Sequence, residues 1–176
     1  MKVIKTKLDG VLLVQPEFFN KEDGSGECFE DDRGVFLETY NESKYKECGI
    51  DIDFVEDDIS VSKRDVLRGI HGDSKRWKLV SCLFGKVFFV AANCDPESSD
   101  FGKWQSFELS DSNNFQVLVP PMYGSAYLAL TDKVIFKYKQ SSYYNRDGQF
   151  SYKWNDPRFG IKWPTENPIL SSRDSA

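Results

Sequence analysis

Short runs of alternating apolar and polar residues recur along the chain, and Gly, Pro, Asp, Asn or Ser separates most of them. Alternation of this kind predicts half-buried β-strands, and turn residues at regular intervals are typical of a β-sandwich or β-barrel. The predicted strands are Lys2–Val14, Arg33–Thr39, Phe54–Lys63, Val66–His71, Lys78–Phe84, Lys86–Asn93, Trp104–Leu109, Gln116–Val119, Tyr127–Leu130 and Val134–Gln140. The pattern therefore predicts an all-β fold.

The remaining segments do not alternate. Pro16–Glu30 is polar and contains glycines, which predicts a loop, whereas Glu42–Cys48 predicts a short helix. The tail from Trp154 onward is rich in Pro and aromatic residues, and we expect it to pack irregularly on the barrel because large aromatic side chains favour burial. Its three apolar anchors are Trp154, Phe159 and Trp163. With no internal repeat or linker, residues 1–176 are predicted to form a single domain.

Composition narrows the classes of function. The chain has 176 residues and a net charge of −5, with no basic run suited to a phosphate backbone, so a nucleic-acid partner is not expected. The net charge does not exclude a small anionic ligand, because a few arginines in a pocket can hold a pyrophosphate. The first residues show no signal peptide, and no apolar run is long enough to span a bilayer, which predicts a cytoplasmic protein without a membrane partner. The four cysteines form no CxxC pair and are predicted to be reduced.

The chain contains one histidine, His71, and a histidine is a common general base near neutral pH. Arg68 precedes it by three residues and Lys78 follows it by seven. Residues at odd spacing on a straight strand face opposite ways, so their convergence requires a bulge or turn at Gly69 or Gly72. One histidine cannot supply the ligand set of a metal-binding cupin, and phosphate loops and a GxSxG elbow are absent, so neither a metal nor a cofactor is predicted.

Seven segments occur in an order that resembles the dTDP-4-dehydrorhamnose 3,5-epimerase family: DDRGVFLETYN, VLRGIHGD, KLV, FGKW, FKYKQSSYY, WNDPRFGIKWP and ILSSRD. The resemblance implies a cupin-like jelly-roll barrel with a few short helices, and a homodimer. It also implies an isomerase that inverts carbon 3, carbon 5 or both in a 4-keto-6-deoxy sugar linked to a nucleoside diphosphate, for surface polysaccharide synthesis.

The same resemblance assigns roles by position. His71 matches the catalytic base and Asp174 the carboxylate that orients it. Tyr138 matches the acid on the opposite face, and Lys78 matches a lysine near the carbonyl oxygen of the sugar. The residues that match substrate-binding positions, partly across the dimer, are Arg68, Arg33, Phe36 and Glu38.

This chain departs from the family pattern near the sugar and the nucleotide. Ser125 stands where the family has a second histidine, and Phe89 stands where an acid is common. Glu56 and Asp58 replace an amide pair that contacts the nucleotide. These changes give two hypotheses: inversion at a single carbon, or a larger sugar or a different nucleotide. The motifs are also similar to epimerases of GDP-linked 6-deoxy-4-keto-heptoses in bacterial capsule synthesis.

Two other functions fit the same barrel. A nucleotide-sugar 3,4-ketoisomerase also uses a histidine base, but a tyrosine on the opposite face, Tyr138, favours epimerisation. A non-catalytic nucleotide-sugar-binding module fits the loss of the second histidine. The retention of the four proposed catalytic residues argues against that module.

Overall fold

Antiparallel strands dominate the chain. The computed structural model describes residues 1–18, 20, 22 and 25–175. The strands in this part are β1 (Lys2–Lys5), β2 (Leu12–Gln15), β3 (Cys28–Asp31), β4 (Gly34–Leu37), β5 (Glu56–Lys63), β6 (Leu67–Asp73), β7 (Lys78–Phe84), β8 (Lys86–Asn93), β9 (Trp104–Ser110), β10 (Gln116–Val119), β11 (Tyr123–Ala129), β12 (Lys133–Gln140) and β13 (Gln149–Ser151). The helical elements are α1 (Glu42–Glu47), α2 (Ser172–Ser175) and a 3-10 turn at Arg146–Gly148.

Eleven of these strands form two sheets. One has the order β1-β2-β10-β7-β12-β5, and the other has the order β13-β6-β11-β8-β9. Between them lies the main core, which includes the fully buried Val87, Phe89 and Leu109 together with Val117 and Phe136. The inward side chains alternate with outward ones along the strands, as the sequence pattern requires. The predicted all-β, cupin-like jelly-roll barrel is confirmed.

Smaller apolar clusters cover the outer faces of the sheets. Helix α1 begins after Asn41, whose side chain accepts a hydrogen bond from the Lys44 N–H (3.3 Å) and so caps the helix. Its buried Tyr45 packs with Leu79 and Leu118 on the six-stranded sheet. The predicted helix at Glu42–Cys48 is thus confirmed to within one residue.

The aromatic tail packs on the outer face of the five-stranded sheet. Phe159 is buried against Ile70 and Val90, and Trp163 lies edge-on to Phe88 with ring centroids 5.6 Å apart. Trp163 and Trp154 are half-buried, and the indole N–H of Trp163 donates to the Trp154 carbonyl (2.7 Å). The prediction of ordered, irregular packing is confirmed for the tail up to Ser175.

Two predictions about the first part of the chain were wrong. Lys2–Val14 is not one strand: the chain turns between β1 and β2 at Gly10, whose φ of +71° is unfavourable for other residues. The predicted loop Pro16–Glu30 contains the start of β3, which pairs with β4 in a hairpin outside the two sheets. Positions 19, 21, 23 and 24 of that loop lie outside the described residues.

One further boundary differs clearly from the prediction. The strand predicted to begin at Tyr127 begins at Tyr123, because β11 pairs along its whole length with β8 despite its weakly β-forming Gly-Ser-Ala segment. The predicted strand Val134–Gln140 is confirmed to within one residue as β12, and Tyr143 and Tyr144 beyond it are exposed. No helix within the described ranges is both long and apolar enough to cross a membrane.

Candidate active site

A cleft of about 310 Å³ opens between the two sheets. Its floor is apolar and its walls carry charged and hydroxyl side chains. The residues that line it are Ser60, Arg68, His71, Lys78, Val80, Phe89, Ser125, Ala126, Tyr127, Phe136, Tyr138, Ser171, Arg173 and Asp174. A concave cleft with an apolar floor and convergent polar groups is a common form of a small-molecule site. Six of the ten residues predicted from the sequence lie in this lining.

His71 and Asp174 form a hydrogen-bonded pair on one wall. His71 Nε2 lies 2.6 Å from Asp174 Oδ1, and the Asp174 side chain is only 4% exposed. Ser171 Oγ donates to the second carboxylate oxygen (2.8 Å). Burial alone would raise the pKa of Asp174, but the hydrogen bonds from His71 and Ser171 outweigh it and hold that pKa below its usual value. Asp174 is therefore a carboxylate that can orient an imidazole.

A bulge in β6 brings Arg68 and His71 to the same cleft. His71 pairs with Ser125 and Arg68 with Tyr127, so three steps along β6 match two along β11. Gly69 occupies this bulge with a φ of +127°, and a Cβ there would lie 2.3 Å from the Cβ of Ala126. Only glycine fits such a position. The predicted bulge at Gly69 or Gly72 is confirmed, and it lies at Gly69.

Tyr138 and Lys78 reach the cleft from the opposite sheet. Tyr138 pairs with Val80 across β12 and β7, and Gln140 pairs with Lys78, so Tyr138 and Lys78 are diagonal neighbours on the inner face. The Lys78 ammonium lies 6.0 Å from the centroid of the Tyr138 ring. The cleft thus has an imidazole–carboxylate pair on one wall and a tyrosine and a lysine on the other.

Burial changes the acidity of both groups. It lowers the pKa of Lys78 to about 8, with a further contribution from the positive charge of Arg76. It raises the pKa of Tyr138 to about 12, helped by the negative Asp58 and Glu56. At neutral pH Lys78 is therefore mostly a cation and Tyr138 is a neutral phenol with a proton to donate. Together they can stabilise an oxyanion and deliver a proton.

Arg68 and Ser125 also lie in the cleft. Arg68 Nε donates to Ser62 Oγ (3.2 Å), and within the described part of the chain no carboxylate lies within 4.0 Å of its guanidinium. This arginine is therefore available to an anionic ligand. The Ser125 hydroxyl donates to the His71 carbonyl (3.2 Å), so it braces the backbone of the proposed base.

Four predicted binding residues do not line this cleft in the single chain. Arg33 and Phe36 lie on the β3–β4 hairpin, with the Arg33 side chain 90% exposed and Phe36 71% exposed. Glu38 follows the hairpin, and Lys44 holds its carboxylate at 2.8 Å. Glu56 is the first residue of β5, and its carboxylate accepts a hydrogen bond from the Gln140 side chain (2.5 Å). Their roles stay predictions.

The structure adds residues that the sequence did not indicate. Arg173 and Ser171 line the cleft on the C-terminal side, next to Asp174. The buried Tyr127 hydroxyl forms hydrogen bonds with Ser60 and Ser62, each 2.8 Å long. Arg173 could have been noticed beside Asp174 in the ILSSRD segment, whereas the Tyr127 contacts depend on packing that no local pattern reveals. Across the described residues, no group of three or more His, Cys, Asp and Glu is arranged to hold a metal ion.

An oriented imidazole that faces a phenol and a lysine across a jelly-roll cleft is the arrangement expected of an isomerase of the nucleotide-sugar epimerase class. The family model of dTDP-4-dehydrorhamnose 3,5-epimerase matches residues 5–176. The enzyme of that name from Salmonella typhimurium is 38% identical over 181 residues, covering 100% of this chain and 93% of the relative. This chain therefore belongs to the dTDP-4-dehydrorhamnose 3,5-epimerase family.

Solved structures agree with this assignment. The crystal structure of dTDP-6-deoxy-D-glucose-3,5-epimerase from Legionella pneumophila in complex with dTDP-4-keto-L-rhamnose matches with a TM-score of 0.88 and 34% identity, over 99% of this chain and 89% of that one. A 3'-monoepimerase from Streptomyces bikiniensis in complex with dTDP-quinovose matches with a TM-score of 0.86 and 27% identity, over 97% and 83% of the two chains. The barrel is thus shared with epimerases of both double and single specificity.

Proposed function

We propose that this protein inverts carbon 3, carbon 5 or both in a nucleoside-diphosphate-linked 4-keto-6-deoxy sugar, with His71 as the base and Tyr138 as the acid. One observation carries the proposal: the His71–Asp174 pair and Tyr138 line one cleft from opposite sheets. Inversion requires a proton to leave one face of a carbon and return to the other. The nucleotide sugars bound by the Legionella and Streptomyces relatives support this substrate class.

The chemistry follows from the contacts of each group. Because His71 Nε2 is bonded to Asp174, the proton of the neutral imidazole resides on Nε2 and leaves Nδ1 to accept the sugar proton. A ketone at carbon 4 acidifies the neighbouring C–H bonds, since the resulting anion is an enolate. The Lys78 cation offsets the charge on the enolate oxygen. Tyr138 then donates its proton to the opposite face, and each acid–base step contributes a factor of about 10²–10⁴.

The diphosphate and the nucleotide require further contacts. We propose that Arg68, which has no carboxylate near it among the described residues, binds the diphosphate. Arg33, whose guanidinium pairs with Asp31 (2.6 Å), and Phe36 are exposed on the β3–β4 hairpin, so a second copy can contact them, with Glu38 at the base of that hairpin. The proposal therefore includes a homodimer in which each hairpin contributes to its partner's nucleotide site.

The finer specificity depends on the departures from the family pattern. Ser125 and the buried Phe89 line the cleft where the family has polar groups, which favours inversion at one carbon or a bulkier sugar. Glu56 and Asp58 share the Gln140 amide, at 2.5 and 2.7 Å, in place of a neutral amide pair. A GDP-linked heptose of a capsule pathway is the alternative to a dTDP-linked hexose.

The test uses proton NMR and mass spectrometry of 4-keto sugars incubated with the enzyme in deuterated water, with dTDP- and GDP-linked hexoses and heptoses as the panel. We expect deuterium at carbon 3, carbon 5 or both, with an inverted product. His71→Asn should abolish exchange, and Tyr138→Phe should lower the rate of inversion by about 10²–10⁴-fold. Tyr143→Phe is the matched control, because Tyr143 is 73% exposed and lies outside the cleft.

The outcomes distinguish the alternatives. A carbonyl that moves to carbon 3 without inversion would indicate a ketoisomerase. Absence of exchange with every substrate of the panel would overturn the proposal in favour of a binding module.

A further inference from the structure

Helix α2 carries Asp174 but is too short to hold it in place alone. It spans only Ser172–Ser175, and isolated helices of this length are unstable in water. Its orientation must therefore come from contacts with the barrel. The bond from Asp174 to His71 is one such contact, and the backbone of Ile169, just before α2, is hydrogen-bonded to Asp65 and Leu67. Neither contact joins α2 to β13, the strand next to β6 at the edge of its sheet.

Arg173 supplies a second attachment, to the edge strand β13. Its Nη1 donates to Gln149 Oε1 (3.1 Å), and its Nε and Nη2 donate to Ser151 Oγ (3.2 and 2.7 Å). Ser151 is the register partner of His71 in the antiparallel pair of β13 and β6. Two consecutive residues of α2 thus bind two adjacent strands at the same register position. Asp174 binds the proposed base His71 on β6, and Arg173 binds Ser151, the register partner of His71, on β13.

The chemistry of this contact differs from that of an ordinary surface ion pair. Both acceptors are neutral, and no carboxylate of the described chain lies within 4.0 Å of the Arg173 guanidinium. The planar guanidinium can bridge two acceptors with fixed geometry, whereas a lysine ammonium is a single point charge. The contact is therefore suited to fix the orientation of α2 relative to β13 rather than to neutralise a charge.

We propose that Arg173 is a positioning residue that clamps α2 to β13 and so keeps Asp174 on His71. The inference rests on the proposed roles of His71 and Asp174. Loss of the clamp lets α2 rotate or fray, and the imidazole then spends less time in the productive orientation. Displacements of about 1 Å in a catalytic group lower rates by up to about 10²-fold.

The kinetic test combines substitutions on both sides of the clamp. We expect Arg173→Ala to lower kcat by about 10- to 100-fold with less than about a twofold change in KM. Ser151→Ala should lower kcat in the same direction, and the double variant should be no worse than Arg173→Ala. In an Asp174→Asn background, Arg173→Ala should have no further effect. Arg64→Ala, which removes an exposed arginine paired with a carboxylate elsewhere on the barrel, is the control and should behave as wild type.

The spectroscopic test uses the fact that His71 is the only histidine. Selective ¹⁵N labelling gives the signal of one imidazole, and its hydrogen-bonded N–H proton is expected at low field in the wild type. That resonance should broaden or vanish in Arg173→Ala and in Asp174→Asn, and it should persist in Arg64→Ala. Because the signal does not depend on substrate, it also reports on variants that are inactive.

Other outcomes would overturn the inference. If Arg173 binds the diphosphate instead, KM rises, Arg173→Lys keeps most of the activity and Ser151→Ala has no effect. An unchanged imidazole signal in an inactive Arg173→Ala would exclude action through Asp174. Full activity of His71→Asn would overturn the proposed function itself, which is a different result from a silent Arg173→Ala in an enzyme that depends on His71.

Discussion

Substitution of Lys78 by methionine should make the protein more stable and inactive. Methionine keeps most of the length of the side chain but removes the charge. Burial holds the pKa of Lys78 at about 8, whereas a lysine in the unfolded chain titrates near about 10.4. This difference of about 2.4 pH units corresponds to about 3 kcal/mol at about 1.4 kcal/mol per unit. The lost cation–π contact with Tyr138 subtracts about 0.5–1 kcal/mol, which leaves a net gain of about 2 kcal/mol.

The sign and the pH range follow from proton linkage. Between about pH 8 and about pH 10.4 the unfolded chain binds the Lys78 proton more tightly than the folded protein does, so stability rises with pH across this window. The full penalty of the buried charge is therefore present at pH 7. We expect Lys78→Met to exceed the wild type in stability at pH 7 and to lose that advantage as the pH approaches 10.

Urea unfolding followed by the fluorescence of the four tryptophans measures this difference at several pH values. At about 2–4 °C per kcal/mol, the gain at pH 7 corresponds to an increase in Tm of about 4–8 °C. Lys5→Met, at an exposed position on β1, controls for the substitution itself. The reasoning is refuted if Lys78→Met is no more stable than the wild type at pH 7, or if its advantage does not change with pH.

Three further predictions test the site. Substrate binding near pH 8.5 should take up protons, because an anionic ligand restores the charge of Lys78; calorimetry in two buffers of different ionisation enthalpy should detect this uptake, and Lys78→Met should lack it. Gly69→Ala should lower the free energy of unfolding by about 1–3 kcal/mol and reduce activity, since its Cβ meets Ala126 at 2.3 Å; unchanged urea midpoints would contradict the role of the bulge. Tyr138→Phe should lower the rate of inversion by about 10²–10⁴-fold, while His71 still exchanges the sugar proton with solvent. If the NMR assay shows equal losses in the rates of inversion and of solvent exchange, His71 and Tyr138 do not act as a separate base and acid.

The strands were predicted best where apolar and polar residues alternate strongly and turn residues flank the segment. The predicted bounds of β7, β8 and β10 coincide with those in the structure. In contrast, β3 and the first half of β11 contain polar or small residues and become strands only through their partners. Such segments cannot be predicted from local pattern, because cross-strand pairing rather than propensity decides their conformation.

The site was predictable to different degrees for different residues. His71 stood out as the only histidine in the sequence. Its convergence with Arg68 on one cleft required a bulge, and the sequence offered two glycines, Gly69 and Gly72, at which that bulge could lie. The structure selects Gly69, because Ala126 leaves no room for a side chain there. Asp174 was found only through resemblance to a family. Arg173 was missed because its partners lie on β13, more than twenty residues earlier in the chain.

The separation of His71 and Asp174 along the chain also affects how the protein folds. The two residues are 103 positions apart, and the segment between them supplies three of the six strands of one sheet and four of the five strands of the other. Closing so long a loop costs conformational entropy, and folds rich in such non-local contacts form slowly. We therefore expect this contact to form after the strands between the two residues have paired. During refolding, the β-sheet signal in circular dichroism should therefore recover before catalytic turnover. The rate at which enzyme activity recovers then measures the last step of folding rather than the collapse of the barrel.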